Sequence, residues 1–588
     1  MLYYTALEKF ITNVTGSERM ELLHPKVRRD IWILVGATLA CYVPALFNGF
    51  VNYDDPTLLF ENSLIQKFSL ENTVRIFSEI VHGHYSRFNP LVFVTYMIVH
   101  HLTGFNAFWF HAMSLFFHLG AVVAVYVLVI EITHNTRLGL ICALLYAVHP
   151  IHVEPVAWAS ALTHVMYTFF YLCSALFFCI GLNNRERRVT WFIFSYLFFG
   201  ITGACFSGGA ITLPLVLTLF MLFERGAPVK KAVFWLVPFF VLSGYFAYLT
   251  IYSAKSADVI TNPYFNIGQY PLFERVNLSV ISLLVYVKQT IFPYSYSLVY
   301  PEGYFFPLGN GWVTIAFAVF TVLVAAGRER FFRLKYFKLG FLFFLITIAP
   351  FLKIYSTSDS ITNDRYVYLA SFGLFLIMAE IIDQWLATAG PSRRTARIIL
   401  SAGLCYLIIT TWTTCANWRN SEMLWSQVIK IYPQAYPAYT GRANYYYGQR
   451  EYSKALADCD KALSYNPKYT NALSLKGLVF MTAGLYGDAI KMYSHVLEQE
   501  PEQIHALNNR GAAYLLLGQA DKAIADFNQS LGLETDQTDI YYNRGIAYGQ
   551  TKQWAAAIRD LKHVLSEKPD FQPAKEKMDE IEVILREQ

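Results

Sequence analysis

Between residues 433 and 569 the sequence repeats itself every 34 positions. Pro433, Pro467, Pro501 and Pro569 fall on multiples of that step, with Thr535 in the remaining place. Ala455, Ala489, Ala523 and Ala557 keep the period, as do Gly477, Gly511 and Gly545, and Leu463, Leu497, Leu531 and Leu565. Small residues let two antiparallel helices approach, and a proline ends the second helix of each pair. One such pair cannot bury its apolar face alone, so the pairs have to stack.

The pattern is that of about four tetratricopeptide repeats, residues 434–588, ending in a capping helix from Ala574 to Gln588. Residues 417–433 are expected to form a connecting helix. The preceding 400 or so residues are of another kind. The 588-residue chain is 55% hydrophobic but only 15% charged, where a soluble domain would carry about 25% charge. Its 47 Phe and 41 Tyr suit lipid-facing spans and interfacial belts. Apolar runs beginning near residues 31, 107, 138, 161, 190, 210, 232, 311, 338, 366 and 397 make a polytopic membrane domain, 31–416, behind a polar cytoplasmic segment, 1–30. The first run reads as an uncleaved signal anchor. Cys41, Cys142, Cys173, Cys179 and Cys405 lie within apolar runs and Cys459 stands alone in the repeats; all are expected to be small buried hydrophobes. No basic block with interleaved aromatics points to nucleic acid.

Basic residues cluster at Lys26–Arg29, Arg137, Arg185–Arg188, Arg225–Lys231, Arg328–Lys338 and Arg393–Arg397. Placing them all in the cytoplasm gives about 11 alternating crossings. It requires that Leu91–Leu102 and Val276–Phe292 lie in the interface. The first loop (51–106), His149–Glu154, Lys353–Arg365 and the repeats then share the extracytoplasmic side.

That side collects the chemistry. Asn52-Tyr53-Asp54-Asp55-Pro56 places two carboxylates at the end of the first span, where acids are costly unless something meets them. The residue before proline favours extended backbone, so the two side chains should point apart. Asp55 is placed to cap the helix begun by Pro56, which leaves Asp54 as the candidate general base toward an acceptor hydroxyl. His149, His152 and Glu154 lie together in His-Pro-Ile-His-Val-Glu. They match no zinc signature, and hydrogen bonds to a phosphate or to the acidic loop suit them better. Arg365, in Asn-Asp-Arg-Tyr-Val-Tyr, can clamp a phosphate bidentately; Lys288 and Lys353 are secondary phosphate candidates. Arg87 closes the first loop, where it can support substrate or anchor the segment.

These motifs, in this order, resemble the transmembrane and tetratricopeptide repeat-containing O-mannosyltransferases and their bacterial relatives, of the GT-C class. The likeness rests on the acidic pair after the first span, His-Pro-x-His-x-Glu at 149–154, Lys-x-x-x-Phe-Pro at 288–293, Asp-Arg-Tyr-x-Tyr at 364–368 and the repeats. It implies an all-α, GT-C-like membrane enzyme. Such an enzyme moves a sugar, with inversion, from a polyprenyl-phosphate carrier to a hydroxyl of an extracytoplasmic, protein acceptor. Asp54 would be the base and basic residues would hold the leaving phosphate; no metal or other cofactor is expected. The loop wording favours a bacterial inner membrane. Relatives carry a lysine before a Thr-Leu-Pro run, whereas here the stretch is Ser207-Gly208-Gly209-Ala210-Ile211-Thr212-Leu213-Pro214. That departure keeps a non-catalytic alternative open: a membrane scaffold whose repeats assemble an envelope or appendage complex.

Overall fold

The structure, a computed structural model, describes residues 25–82, 89–184, 186–223, 229–256, 271–301, 334–353, 360–388 and 392–587. All of its regular elements among these residues are helical. The chain divides into two compact units, Met1–Gln427 and Val428–Gln588.

In the first unit seven helices among the described residues are long and apolar enough to cross a membrane: Pro25–Phe47, Ala107–Thr133, Ala159–Asn183, Arg188–Cys205, Val233–Ser253, Asp364–Thr388 and Arg394–Ala416. Thr136–Val148 and Pro150–Ala157 make an eighth if counted as one bent span; they meet at 54°. The bend falls at Pro150, which lacks an amide hydrogen to continue the ladder. Among the described residues, length and apolarity therefore give seven or eight of the roughly 11 expected crossings. The segments near residues 210 and 338 are shorter helices, Ser207–Phe223 and Phe337–Phe351. The segment near 311 lies outside the described residues.

Small residues bring these helices together. A Cβ at Gly340 would overlap the carbonyl oxygen of Gly373, and one at Gly373 would overlap that of Gly340. Phe337–Ile348 and Val367–Thr388 thus cross backbone against backbone, as membrane helices do when dispersion rather than water drives their packing.

The helix ends sort into two sets. At one, Lys26 Nζ donates to Thr136 Oγ1 at 2.6 Å, Arg137 pairs with Asp383, and the Lys335 amide donates to Glu380 at 2.6 Å. At the other, Asn48 Nδ2 donates to the Cys415 carbonyl at 3.2 Å and Thr411 Oγ1 to that of Val148 at 2.6 Å. Lys26, Arg137 and Lys335 therefore sit at one end of their helices and the segment after the first span at the other. Of the eight cysteines, seven are buried; Cys405 is exposed, so it departs from the expectation.

In the second unit the repeat geometry follows the sequence period. First helices are Tyr436–Gly448, Thr470–Thr482, Ile504–Leu516 and Thr538–Gln550. Second helices are Tyr452–Tyr465, Tyr486–Gln499, Ala520–Leu533 and Trp554–Glu567, and Gln572–Glu587 closes the array. The glycine column has a steric cause. A Cβ at Gly477 would meet the Tyr493 ring at 2.8 Å, one at Gly511 the Phe527 ring at 2.6 Å, and one at Gly545 Leu561 at 3.3 Å. In the first repeat the same places hold Ala443 and the small Cys459, both fully buried in one cluster. A large residue on the second helix thus faces a glycine on the first, and where the second helix carries a small residue the first tolerates a methyl.

Candidate active site

The first span ends at Phe47, and the chain turns through 48–55 before a single π-helical turn, Pro56–Phe60. Pro56 starts that turn and Asp55 precedes it, but Asp55 adopts helical backbone angles (φ −60°, ψ −40°) and its side chain caps nothing. The expected helix cap is thus corrected, and so is the extended backbone. The carboxylate points inward instead. It accepts from the Val51 amide at 2.7 Å, Trp158 Nε1 at 2.9 Å, the Ser160 amide at 3.2 Å and the Ser160 hydroxyl. Four donors converge on a buried acid and lock the loop to the Trp158–Ser160 turn. Burial pushes the Asp55 carboxyl up to about 6, against the pull of those four donors.

Asp54 is half-buried, and its carboxylate accepts no hydrogen bond from a described residue. Of the two acids, Asp55 is the one engaged inside. Asn52 pins the loop from the other side: its amide donates to Ser421 Oγ at 2.9 Å and its side-chain oxygen accepts from Trp425 Nε1 at 2.8 Å. Gly49 donates to the Arg419 carbonyl at 3.0 Å. None of Trp158, Ser160, Ser421 or Trp425 was expected from sequence. The signal available was the clustering of Trp418 and Trp425, seven residues apart, just after the last span, and of Trp158 four residues after Glu154.

Arg365 pairs with Glu154 rather than with Asp364. Its Nη1 bonds Glu154 Oε1, and its own amide donates to Oε2 at 3.1 Å. The guanidinium carbon lies 5.2 Å from the Trp158 ring centre and 5.0 Å from that of Tyr366. Held by a carboxylate and aromatic faces, it has one orientation; its Nε and Nη2 donate to no described residue. Asp364 accepts from the Tyr300 hydroxyl at 2.9 and 3.0 Å. Trp158 links the acidic loop to the guanidinium: it donates to Asp55, and its ring lies 5.5 Å from that of Tyr53 and 5.2 Å from the Arg365 guanidinium, so the two meet at one indole.

The two histidines are engaged elsewhere. His149 places Nε2 3.1 Å from the Thr290 carbonyl while Nδ1 accepts from the Ile151 amide at 3.3 Å. His152 places Nδ1 2.8 Å from the Tyr146 carbonyl and Nε2 2.8 Å from Ser371 Oγ. All four ring nitrogens have partners within the fold, none an acid of the loop. Lys353 is buried at the end of Phe337–Phe351. Lys288 is exposed and places its ammonium 5.0 Å from the Tyr294 ring. Arg87 lies outside the described residues. Among the described residues no group of three or more His, Cys, Asp or Glu stands close enough to hold a metal ion. The stretch that lacks the lysine forms a short helix, Ser207–Ala210; a Cβ at Gly209 would meet Phe206 at 2.7 Å and Tyr167 at 2.9 Å.

Membrane-type helices and the 34-residue array define a helical membrane protein with tetratricopeptide repeats, and a family model described as tetratricopeptide repeat matches residues 440–494 and 474–539. The relatives are more specific. The human "Protein O-mannosyl-transferase TMTC1" is 22% identical over 76% of this chain and 56% of its own length. Human "Protein O-mannosyl-transferase TMTC3" is 21% identical, over 68% and 48%. A Caenorhabditis elegans protein O-mannosyl-transferase is 20% identical, over 76% and 63%. The chain is thus a relative of the repeat-containing protein O-mannosyl-transferases, spanning 48–63% of the length of these three. Among solved structures, MamA is 22% identical with a TM-score of 0.24, covering 26% of this chain and 88% of that one.

Proposed function

We propose that the chain is a membrane glycosyltransferase that moves a mannosyl group from a polyprenyl-phosphate carrier to a hydroxyl of an extracytoplasmic protein. The observation that carries this reading is the asymmetry of the acidic pair. Asp55 is fixed by four donors, whereas Asp54, on the same turn, accepts from no described residue and stands next to the acid held by Trp158, the indole beside Arg365. A carboxylate without hydrogen-bond partners, on an immobilised loop, is what proton abstraction needs.

In the step proposed, the acceptor oxygen attacks the anomeric carbon as its proton passes to Asp54. The bond from that carbon to the phosphate oxygen breaks, and its electron pair leaves with the carrier phosphate. Nε and Nη2 of Arg365 would meet the charge that develops there. Glu154 orients the guanidinium. Lys288 and Lys353 remain candidates for the phosphate, and GT-C class, inversion and a bacterial inner membrane belong to the same reading. The repeats would present the acceptor. The relatives' names as protein O-mannosyl-transferases support the sugar and the acceptor class.

The test is mass spectrometry of extracytoplasmic proteins from cells carrying the chain or Asp54→Asn. Loss of hexose from acceptors at unchanged protein level is expected. Full modification by Asp54→Asn removes Asp54 as base. If it is accompanied by loss of function on deleting the repeats alone, the scaffold alternative holds instead.

A further inference from the structure

Four aromatic rings stand around the acidic loop. Trp158, Trp418 and Trp425 are 2%, 5% and 5% exposed, but Tyr53 is 36% exposed. Trp158 stacks on Trp418 at 5.6 Å. Tyr53 rests against Trp158 at 5.5 Å and edge-on against Trp425 at 5.8 Å. Its backbone cannot drift. Asn52 is tied to Ser421 and Trp425 on one side, and Asp55 to Trp158 and Ser160 on the other. A large ring is therefore held open at a site that could have buried it.

Resting on the glycosyltransferase reading, we propose that Tyr53 is the platform for the sugar ring of the donor. The π cloud of such a partly open ring is negative and attracts the polarised C–H groups of a pyranose face. The borders fit the rest of such a ligand. Asp54, the next residue, can accept from sugar hydroxyls, and the guanidinium of Arg365, which can meet a phosphate, lies 5.2 Å from the same Trp158 ring that Tyr53 rests against. An acyl chain would want an apolar border, and this ring has a carboxylate and a guanidinium instead. Because the ring is immobilised before binding, little ordering entropy opposes the stacking.

The test uses the full chain in nanodiscs and two probes, polyprenyl-phosphate mannose and polyprenyl phosphate without sugar, with binding read by calorimetry. Tyr53→Ala is expected to weaken the mannosyl carrier about five- to tenfold, the range of one aromatic contact, and to leave the bare carrier unchanged. Tyr53→Phe, which keeps the ring, retains wild-type affinity for both and shows that the fold tolerates change at this position. Equal weakening of both probes, or of neither, overturns the platform and leaves Tyr53 as an interfacial belt residue. A wild-type chain without preference for the mannosyl carrier overturns the glycosyltransferase reading and the platform with it. A wild-type preference untouched by Tyr53→Ala overturns Tyr53 alone.

Discussion

Asp54→Asn and Asp55→Ala should separate chemistry from architecture within two adjacent residues. Removing the Asp55 carboxylate strands the Val51 amide, Trp158 Nε1, and the amide and hydroxyl of Ser160 in a buried site. Each stranded buried donor costs about 1–3 kcal/mol, and the costs do not add fully because water can enter the space left. Loss of the buried charge offsets part of this: a carboxyl held at about 6 rather than 3.8 is disfavoured by roughly 3 kcal/mol when ionised at pH 7. A net loss of about 3 kcal/mol is expected from the four donors against that relief. It should lower the melting temperature of the detergent-solubilised full chain by several degrees. Asp54 accepts from no described residue, so Asp54→Asn should stay within about 0.5 kcal/mol of wild type. Its transfer rate to acceptor should fall by about 10²–10⁴-fold, the usual worth of a positioned base. The pair of assays is a melt and a mannosyl-transfer rate. A wild-type melting temperature for Asp55→Ala would refute the buried anchor. A wild-type rate for Asp54→Asn, in protein that melts normally, would refute the base.

Other perturbations follow from the packing and from Asp55. Because the folded value of that carboxyl lies above the unfolded one, the native state binds more protons between pH 3.8 and about 6, and the group's contribution should grow as pH falls through that window. Melts of wild type minus Asp55→Asn across the window should show this sign, and the reverse slope would contradict it. In the repeats, Gly511→Ala drives a methyl to 2.6 Å from the Phe527 ring and should cost about 1–3 kcal/mol. Gly545→Ala meets the flexible Leu561 at 3.3 Å, gains up to about 1 kcal/mol of helix propensity, and should be near neutral; chemical denaturation of the full chain compares them. Arg450 and Lys552 hold left-handed turns at φ 62° and 59°, where the other repeats have Gly484 and Gly518. Replacing either by glycine should stabilise by up to about 1 kcal/mol, and a loss would show that their side chains do more than the turn demands.

The repeats were the most legible part of the chain because each column answers to one local contact. The alanines are fully buried, and the glycines face Tyr493, Phe527 and Leu561 of the second helices. Two periodic features escaped notice because substitutions interrupt them. The left-handed turn recurs at 450, 484, 518 and 552, but only two of the four are glycine. A bidentate pair joins Arg442 to Asp458, Arg510 to Asp526 and Arg544 to Asp560, yet the second repeat has Lys476 and Met492 there, and Lys476 reaches Asp460 instead. In the membrane unit, apolarity marked where helices are but not how long they run, since length depends on where proline and tight packing end a helix. The histidines misled for a related reason. A polar side chain at a helix end looks like a ligand, and only the fold shows that His149 and His152 satisfy carbonyls and a hydroxyl inside it.

The same logic bears on why two acids stand side by side. A lone carboxylate on a mobile loop would sample many positions, and a base displaced by an ångström loses much of its effect. Here the loop is held at Gly49, Asn52 and Asp55 by groups from the Trp158–Ser160 turn and the stretch after the last span, and closed on itself by the Val51 amide on Asp55. Trp158 serves both halves, donating to Asp55 while its ring lies beside Arg365. Burying Asp55 is unfavourable in itself, as its raised carboxyl shows, so the fold sustains a local cost in order to fix its neighbour. A scaffold has no need of that arrangement. Of the two adjacent acids, the one that carries no structural duty is therefore the one on which a catalytic role would fall.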